Sequence, residues 1–178
     1  MRPLEPGEFT LVDLDSLPDD GMRYELVDGQ LLVTPIPPPI HQRAVLQLAV
    51  LLERVRPEHL EVFLGPLDFQ PTARRSLQPD VLVCRLEDIG PRAVEGSLAL
   101  AVEVLSPPTL MTDRLLKRAI YEDAGVDSYW IFDPEDLVLT VLELEDGRYF
   151  ERALVKADDA FEAELPFPVR VVPARLVG

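Results

Sequence analysis

Two acidic residues lie next to apolar segments in which an unpaired charge is unexpected. Glu103 interrupts the apolar run from Leu98 to Leu105, and Asp80 directly precedes the run from Val81 to Cys84. A carboxylate that is buried without a partner loses its hydration and strongly destabilises the folded state. The sequence therefore predicts that other groups compensate these two charges.

Strand pairing would bring the two acids together. Residues 80–84 and 98–105 are typical of strands, and an antiparallel pair places the start of the first beside the end of the second. Neighbouring carboxylates repel unless a proton or a cation lies between them, and Mg²⁺ and Mn²⁺ prefer such oxygen ligands. Such an ion can lower the pKa of a bound water and stabilise charge on a phosphate, as a metal-assisted hydrolase requires. Spacing alone leaves an alternative open, in which Asp80 caps a loop and Glu103 pairs with an arginine.

Other chemistries are disfavoured by what the chain lacks. The two histidines, His41 and His59, and the single Cys84 are too few for a usual zinc site, and HExxH is absent. The nucleotide-binding patterns GxxxxGK[ST] and GxGxxG are absent, as is the GxSxG pattern of serine hydrolases. Carboxylates in apolar surroundings are therefore the main chemical feature of the sequence.

Charge indicates where a nucleic acid could approach. The net charge of −15 argues against a nonspecific nucleic-acid coat, because binding to phosphates depends on Lys and Arg. Residues 35–120, however, carry 10 basic and 10 acidic residues. A polyanion would therefore have to approach this middle segment.

Length and composition indicate the class of protein. The 178 residues predict one domain over residues 1–178, without an apolar run long enough to span a membrane. The start of the chain lacks the pattern of a secretory signal and Cys84 is the only cysteine, which predicts a cytoplasmic protein. Arginine outnumbers lysine by 15 to 2, asparagine is absent and there are 18 prolines, a composition that would suit a thermophile.

Turn signals divide the chain into short strands. The dipeptide Asp28-Gly29 predicts a tight hairpin between strands at residues 23–27 and 30–34. Further strands are predicted at residues 60–69, with an interruption at Gly65-Pro66, and at residues 127–132, 138–144 and 149–155.

Two longer helices are predicted between these strands. The apolar residues of 41–55 cover too wide an arc for a surface helix, so we expect the sheet or a second subunit to bury most of it. The second helix extends from about residue 110 to 124, with Gly125 as its left-handed cap.

Ten short segments together indicate a family. They are Arg23-Tyr24-Glu25-Leu26-Val27-Asp28-Gly29, His41, Gln78-Pro79-Asp80-Val81, Val102-Glu103-Val104-Leu105-Ser106-Pro107, Asp113, Lys117, Tyr121, Gly125-Val126, Tyr129-Trp130-Ile131 and Asp133-Pro134. In this order they resemble the Uma-type family of restriction endonucleases, of the PD-(D/E)XK nuclease superfamily. The resemblance implies an α+β fold with a restriction-endonuclease-like core, a mixed β-sheet flanked by helices, here with additional N- and C-terminal β-hairpins. It also implies metal-dependent cleavage of DNA phosphodiester bonds.

The resemblance assigns roles to particular residues. Asp80 matches the Asp of the PD motif and Glu103 the acid of (D/E)XK, both as metal ligands, and the carbonyl of Val104 would complete the ligand set. Leu105 stands where the motif has its lysine, and Lys117 on the following helix matches the residue that takes over this role. A lysine beside the attacking water can orient it and stabilise the pentavalent phosphate.

The predicted helix gives Lys117 a second interpretation. Its apolar stripe is formed by Met111, Leu115, Leu116, Ala119 and Ile120. At 100° per residue, Lys117 lies about 150° from the centre of this stripe. A solvent-exposed Lys117 that forms an ion pair with Asp113 is therefore the alternative to a catalytic role.

Three further residues, Glu25, His41 and Asp113, are possible members of the site. Glu25 either supplies a third carboxylate or faces outward from the hairpin. His41 either contacts a phosphate at the cleft or only begins the helix. The aromatic residues are interpreted as core or dimer contacts: Tyr121, Tyr129, Trp130 and Phe132.

The sequence thus predicts a Mg²⁺- or Mn²⁺-dependent endodeoxyribonuclease with Asp80, Glu103 and Lys117 as catalytic residues and DNA as partner. A homodimer is expected because duplex cleavage needs two cuts and because the helix at 41–55 is too apolar for a small monomer. Two alternatives stay open. One is a catalytically inactive interaction module with the same fold, and the other is a metal-dependent hydrolase of another phosphate ester.

Overall fold

The structure is a computed structural model that describes residues 8–18, 20–34, 36–106 and 112–178, without the side chains of residues 112–114. The helices are α1 (Leu11–Leu14), α2 (Pro39–Glu53) and α3, which begins with a π-helical turn (Thr112–Lys117) and continues as α-helix (Arg118–Asp123). The strands are β1 (Arg23–Val27), β2 (Gln30–Thr34), β3 (Leu60–Leu64), β4 (Asp68–Thr72), β5 (Arg75–Leu77), β6 (Val81–Arg85), β7 (Ala93–Val94), β8 (Leu98–Val104), β9 (Ser128–Asp133), β10 (Val138–Glu145), β11 (Arg148–Lys156), β12 (Phe161–Ala163) and β13 (Val169–Val171).

A six-stranded mixed sheet forms the centre of the molecule. Its strand order is β11-β10-β9-β8-β6-β3, in which β8 and β9 are parallel and the other neighbours antiparallel. A second sheet has the order β2-β1-β5-β4-β7, and β12 pairs with β13. The predicted α+β architecture with a mixed sheet and additional N- and C-terminal hairpins is thereby confirmed.

Both faces of the central sheet are covered. Every residue of β8 is buried, as expected for a strand that reads as a continuous apolar run. Helix α2 and the C-terminal strands pack against one face. The second sheet and helix α3 pack against the other face.

The strand pairing predicted from the two acids is present. Strands β6 and β8 are antiparallel, with Val81 opposite Val102, and the amide of Asp80 donates to the carbonyl of Val102 at 2.9 Å. Side chains alternate along a strand, so Asp80 faces the same side as Leu82, and Glu103 the same side as Ala101. Leu82 and Ala101 belong to one apolar cluster, and the two acids therefore face the same side of the sheet.

The predicted N-terminal hairpin is confirmed. Strands β1 and β2 pair over their whole length, and Asp28 and Gly29 have φ angles of 48° and 85°. Positive φ at both central residues is what a type I′ turn requires. Strand β1 also pairs with β5, and this pairing places the first residues of β1 near the start of β6.

Helix α2 is less completely buried than the width of its apolar arc predicted. Ala44, Leu48 and Leu52 are fully buried against the central sheet, but Leu46 is 53% exposed and Val50 is 36% exposed. The protein's own sheet therefore buries one side of α2 and leaves an apolar strip on the other. The homodimer that was invoked to cover this strip stays a prediction, as does the single-domain organisation.

No helix in the described part of the chain is both long and apolar enough to span a bilayer.

Shortening single leucine side chains on α2 tests which face of this helix stabilises the fold. We expect Leu48→Ala to lower the free energy of unfolding by about 2–5 kcal/mol, because it leaves a cavity in the core. Leu46→Ala on the exposed side is the matched control and should change it by less than about 0.5 kcal/mol when measured at protein concentrations that keep the chain monomeric. Urea unfolding followed by the fluorescence of Trp130 measures both. Equal losses for the two variants would contradict the assignment of the buried face.

Candidate active site

Lys117 is buried between two carboxylates. Its Nζ atom lies 2.9 Å from Oε1 of Glu103 and 3.0 Å from Oε1 of Glu25, and the residue is only 3% exposed. Glu25 and Glu103 are 1% and 2% exposed. The three charges come from β1, β8 and α3, so one ammonium group connects the N-terminal hairpin, the central sheet and the helix.

The π-helical turn explains why Lys117 faces inward. Each turn of a π-helix contains more residues than an α-helical turn, so a face calculated at 100° per residue is rotated. Leu115 is 61% exposed and Leu116 is 39% exposed, whereas Lys117, Ile120 and Tyr121 are buried. The prediction of an apolar stripe through Leu115 and Leu116 was therefore wrong.

The interpretation of Lys117 as a solvent-exposed residue was wrong for the same reason. Its partners are Glu103 and Glu25. The side chain of Asp113, which that interpretation paired with Lys117, lies outside the described residues. The role of Asp113 in the site therefore stays a prediction.

Tyr121 adds a neutral donor to the same carboxylate. Its hydroxyl donates to Oε1 of Glu103 at 2.8 Å. Burial raises the pKa of Tyr121 well above its ordinary value, and the nearby Glu103 raises it further, so the hydroxyl keeps its proton. The sequence indicated only a packing role for this residue. Its position four residues after Lys117, on the same helical face, is the signal that could have suggested the contact.

Asp80 is held by three donors at the start of β6. Arg23 Nη1 lies 2.8 Å from Oδ1, and Oδ2 accepts a hydrogen bond from the Val104 amide at 2.8 Å and lies 3.1 Å from His41 Nε2. Burial by itself would raise the pKa of Asp80. The contact with His41 and the charges of Arg23 and Lys117 outweigh it and lower the pKa to about 2. Asp80 is therefore a carboxylate at neutral pH.

Asp80 does more than cap a loop, because it forms an ion pair with Arg23, whereas the alternative pairing of Glu103 with an arginine stays a prediction. Asp80 pairs with Arg23, and Glu103 pairs with Lys117. Each acid therefore has its own cation.

The N-terminal hairpin supplies two residues to the site. Arg23 and Glu25 are two positions apart on β1, so they point to the same face of the hairpin. Glu25 Oε1 accepts a hydrogen bond from the backbone amide of Gln78 at 2.7 Å as well as contacting Lys117. The interpretation of Glu25 as an outward-facing residue was therefore wrong. Sequence reasoning assigned Arg23 no role of its own, because nothing local shows that its partner is 57 residues away.

A cavity of about 530 Å³ opens beside Asp80. Arg23, His41 and Asp80 are among the residues that line it, and the wall also includes apolar residues of the N-terminal segment such as Leu17 and Met22. Its volume is within the range of small-molecule and cofactor sites. His41 thus belongs both to helix α2, which it helps to begin, and to the wall of this cavity.

The donor set is of the kind that hard cations bind. In the described part of the chain, no group of three or more His, Cys, Asp or Glu side chains is arranged to hold a metal ion. Asp80 and Glu103 nevertheless supply two carboxylates on one side of the sheet, and Mg²⁺ is often bound by one or two carboxylates with waters and substrate phosphates. The chemistry of these donors therefore fits Mg²⁺ or Mn²⁺. The contact that the structure gives Val104 is through its amide, and a ligand role for its carbonyl stays a prediction.

Comparison with solved structures defines the class of fold. The crystal structure of "a putative nuclease belonging to DUF820" from Anabaena variabilis ATCC 29413 superposes with a TM-score of 0.73 at 17% identity. The match covers 95% of this chain and 97% of that one. At this identity the likeness shows the fold, which is the restriction-endonuclease-like α+β fold.

Comparison with family models identifies the family. The model of the Uma2 family, described as "Putative restriction endonuclease", matches residues 11–175. The chain therefore belongs to the Uma2 family, as the resemblance of its motifs implied. None of the curated proteins that were compared with the chain matches it.

Removal of the ammonium group tests the charge balance of the site. Lys117→Met should lower the free energy of unfolding by about 3–5 kcal/mol, because Glu25 and Glu103 then lack the cation that they share. Adding Glu25→Gln removes one of the two charges and should restore part of the loss. Lys156→Met, at the exposed second lysine of the chain, is the control and should have almost no effect. Equal effects of the two lysine variants in urea unfolding would show that the buried contacts contribute nothing.

Proposed function

We propose that this protein is a Mg²⁺- or Mn²⁺-dependent endonuclease that hydrolyses DNA phosphodiester bonds. The observation that carries the proposal is the contact between Lys117 Nζ and Glu103 Oε1 at 2.9 Å. The sequence has Leu105 where the (D/E)XK motif has its lysine. Helix α3 brings a lysine to Glu103 from another element, which supports Lys117 as the residue that takes over the role of the motif's lysine.

Asp80 and Glu103 are the residues that would hold the cation, with the carbonyl of Val104 as a third donor. When bound there, the ion would lower the pKa of a water molecule and stabilise negative charge on the phosphate. His41 and the Val104 amide fix the carboxylate of Asp80 through its Oδ2 atom. Tyr121 fixes the carboxylate of Glu103 in the same way. Preorganisation of this kind lowers the free-energy cost of orienting the two carboxylates for the cation.

Lys117 would orient the attacking water. Glu25 and Glu103 hold its ammonium group on two sides, which fixes the position of Nζ in the site. A lysine, unlike an arginine, can lose a proton in a desolvated site, so it can take part in proton transfer as well as in charge stabilisation. Glu25 then acts through Lys117, as a positioning residue.

A homodimer remains part of the proposal. The exposed apolar strip on α2, with Leu46 and Val50, is the surface that a second copy would cover. Two copies would also provide the two active sites that cleavage of both DNA strands requires.

The second candidate function is a non-catalytic interaction module with the same fold. One observation favours it, because Arg23 occupies Oδ1 of Asp80 and so satisfies a proposed metal ligand without a metal. The net charge of −15 also disfavours strong binding to DNA. Cleavage measurements separate the two candidates.

Cleavage of supercoiled plasmid tests the nuclease. With Mn²⁺ or Mg²⁺ we expect nicked and linear products, and Asp80→Ala should reduce the rate at least about 100-fold because it removes a cation ligand. Asp158→Ala, at an exposed position remote in sequence from the site residues, should cleave like the wild type. Equal cleavage by the wild type and Asp80→Ala would indicate a contaminating nuclease, and no cleavage by either would support the interaction module.

Simple phosphodiester and phosphomonoester substrates, tested in parallel, would reveal a hydrolase of another ester.

Lys117→Arg separates the catalytic role of the lysine from its structural role. Arginine keeps a positive charge between Glu25 and Glu103, so the free energy of unfolding should stay within about 1–2 kcal/mol of the wild type. The cleavage rate should fall about 100-fold or more, because a guanidinium group stays protonated at neutral pH and cannot act as a general acid or base. Full activity of Lys117→Arg would show that only the charge is needed, and the proposed proton-transfer role would be wrong.

A further inference from the structure

Arg23 is placed where it competes with a cation for Asp80. Its Nη1 atom is 2.8 Å from Oδ1, while the Val104 amide and His41 contact Oδ2. A divalent ion that uses Oδ1 would lie against the guanidinium group, and two positive charges at such short distance repel strongly. A cation can therefore bind Asp80 in the proposed way only after Arg23 has moved away from Oδ1.

Two donors of Arg23 lack a hydrogen-bond partner among the described residues. Its Nε and Nη2 atoms are shielded from solvent and have no hydrogen-bond partner in the part of the chain that the structure describes. Of the four other described polar atoms in the same state, Asp88 Oδ2 lies elsewhere and three belong with Arg23: Thr34 Oγ1, His41 Nδ1 and Gln78 Oε1. Buried polar atoms are nearly always paired, and a group of unpaired ones indicates a missing partner. Arg23 and these three residues all line the cavity beside Asp80.

The chemistry of the missing partner follows from the unpaired donors of Arg23, which require an acceptor. Among the described residues that line the cavity Arg23 is the only lysine or arginine, whereas Asp15, Asp68 and Asp80 are acidic. An anion that enters the cavity would therefore pair with Arg23. A guanidinium group offers parallel N–H donors that match the oxygens of a phosphate. The cavity of about 530 Å³ leaves room for a phosphate together with the sugar that carries it.

We propose that Arg23 exchanges between two partners: Asp80 in the free protein and a substrate phosphate in the complex. In the first state its guanidinium group shields Asp80 from a divalent cation. In the second state it binds the phosphate in the cavity and leaves Oδ1 of Asp80 available. Cation and phosphate therefore bind cooperatively, and each raises the affinity for the other by the same factor. That the phosphate belongs to DNA rests on the proposed function; the exchange itself does not require cleavage.

The test measures Mn²⁺ affinity by electron paramagnetic resonance, with thymidine 5′-monophosphate as the phosphate probe. For the wild type, saturating probe should raise the affinity for Mn²⁺ about fivefold or more. Arg23→Gln should bind Mn²⁺ about fivefold or more tightly than the wild type without probe, and the probe should add little, because no cation then shields Asp80. Arg23→Lys keeps the charge and should bind Mn²⁺ as weakly as the wild type does.

Two controls define the site that is being measured. Asp80→Asn should abolish the tight Mn²⁺ binding of every variant, because the amide lacks the anionic ligand. Arg85→Gln, at the exposed far end of β6, should behave like the wild type. Circular dichroism of each variant verifies that it is folded.

Several results would overturn the exchange. If the wild type binds Mn²⁺ equally with and without the probe, the proposal fails whether or not any Arg23 variant folds. It also fails if Arg23→Gln binds Mn²⁺ no more tightly than the wild type, or if the probe still raises the affinity in that variant.

Failure of the exchange is distinguishable from failure of the nuclease. Plasmid cleavage without coupling between Mn²⁺ and the probe would reject the exchange and leave the nuclease intact. Coupling without cleavage would reject the nuclease and keep Arg23 as a phosphate-binding residue.

Discussion

A buried ammonium group shared by two carboxylates connects the parts of this molecule that form the site. Lys117 comes from α3, Glu25 from the N-terminal hairpin and Glu103 from the central sheet, and all three are almost completely buried. In such surroundings each charge is tolerable only because the others are present. The same requirement holds the hairpin against the sheet. Glu25 also accepts a hydrogen bond from the backbone amide of Gln78, two residues before Asp80.

The site therefore consists of two charge pairs with different surroundings. The pair of Lys117 with Glu103 is enclosed and also receives the hydroxyl of Tyr121. The pair of Arg23 with Asp80 borders a cavity, and two donors of Arg23 have no partner in the described ranges of the chain. The enclosed pair is suited to fix the geometry of a reaction. The pair at the cavity is suited to respond to a ligand, because its partners can be exchanged without exposing the core.

An irregular helical turn contributes directly to this arrangement of charges. The π-helical turn over Thr112–Lys117 changes the angular position of every residue that follows it relative to an α-helix. It turns Lys117 towards the sheet and leaves Leu115 and Leu116 at the surface. π-helical turns recur at functional sites in other proteins, and here the turn places a lysine beside Glu103.

The sequence by itself determined the local and register-dependent features. The antiparallel pairing of residues 80–84 with 98–105 followed from two short apolar strands, and the hairpin turn followed from the backbone preferences of Asp28-Gly29. Only the tertiary structure decided which cation neutralises which acid. Arg23 lies 57 residues from Asp80. Helical periodicity placed Lys117 on the solvent-exposed face because it assumes a regular helix, and only the family resemblance placed this lysine in the site. These ion pairs depend on which elements, distant in sequence, meet in the folded structure. No local sequence pattern shows which elements will meet.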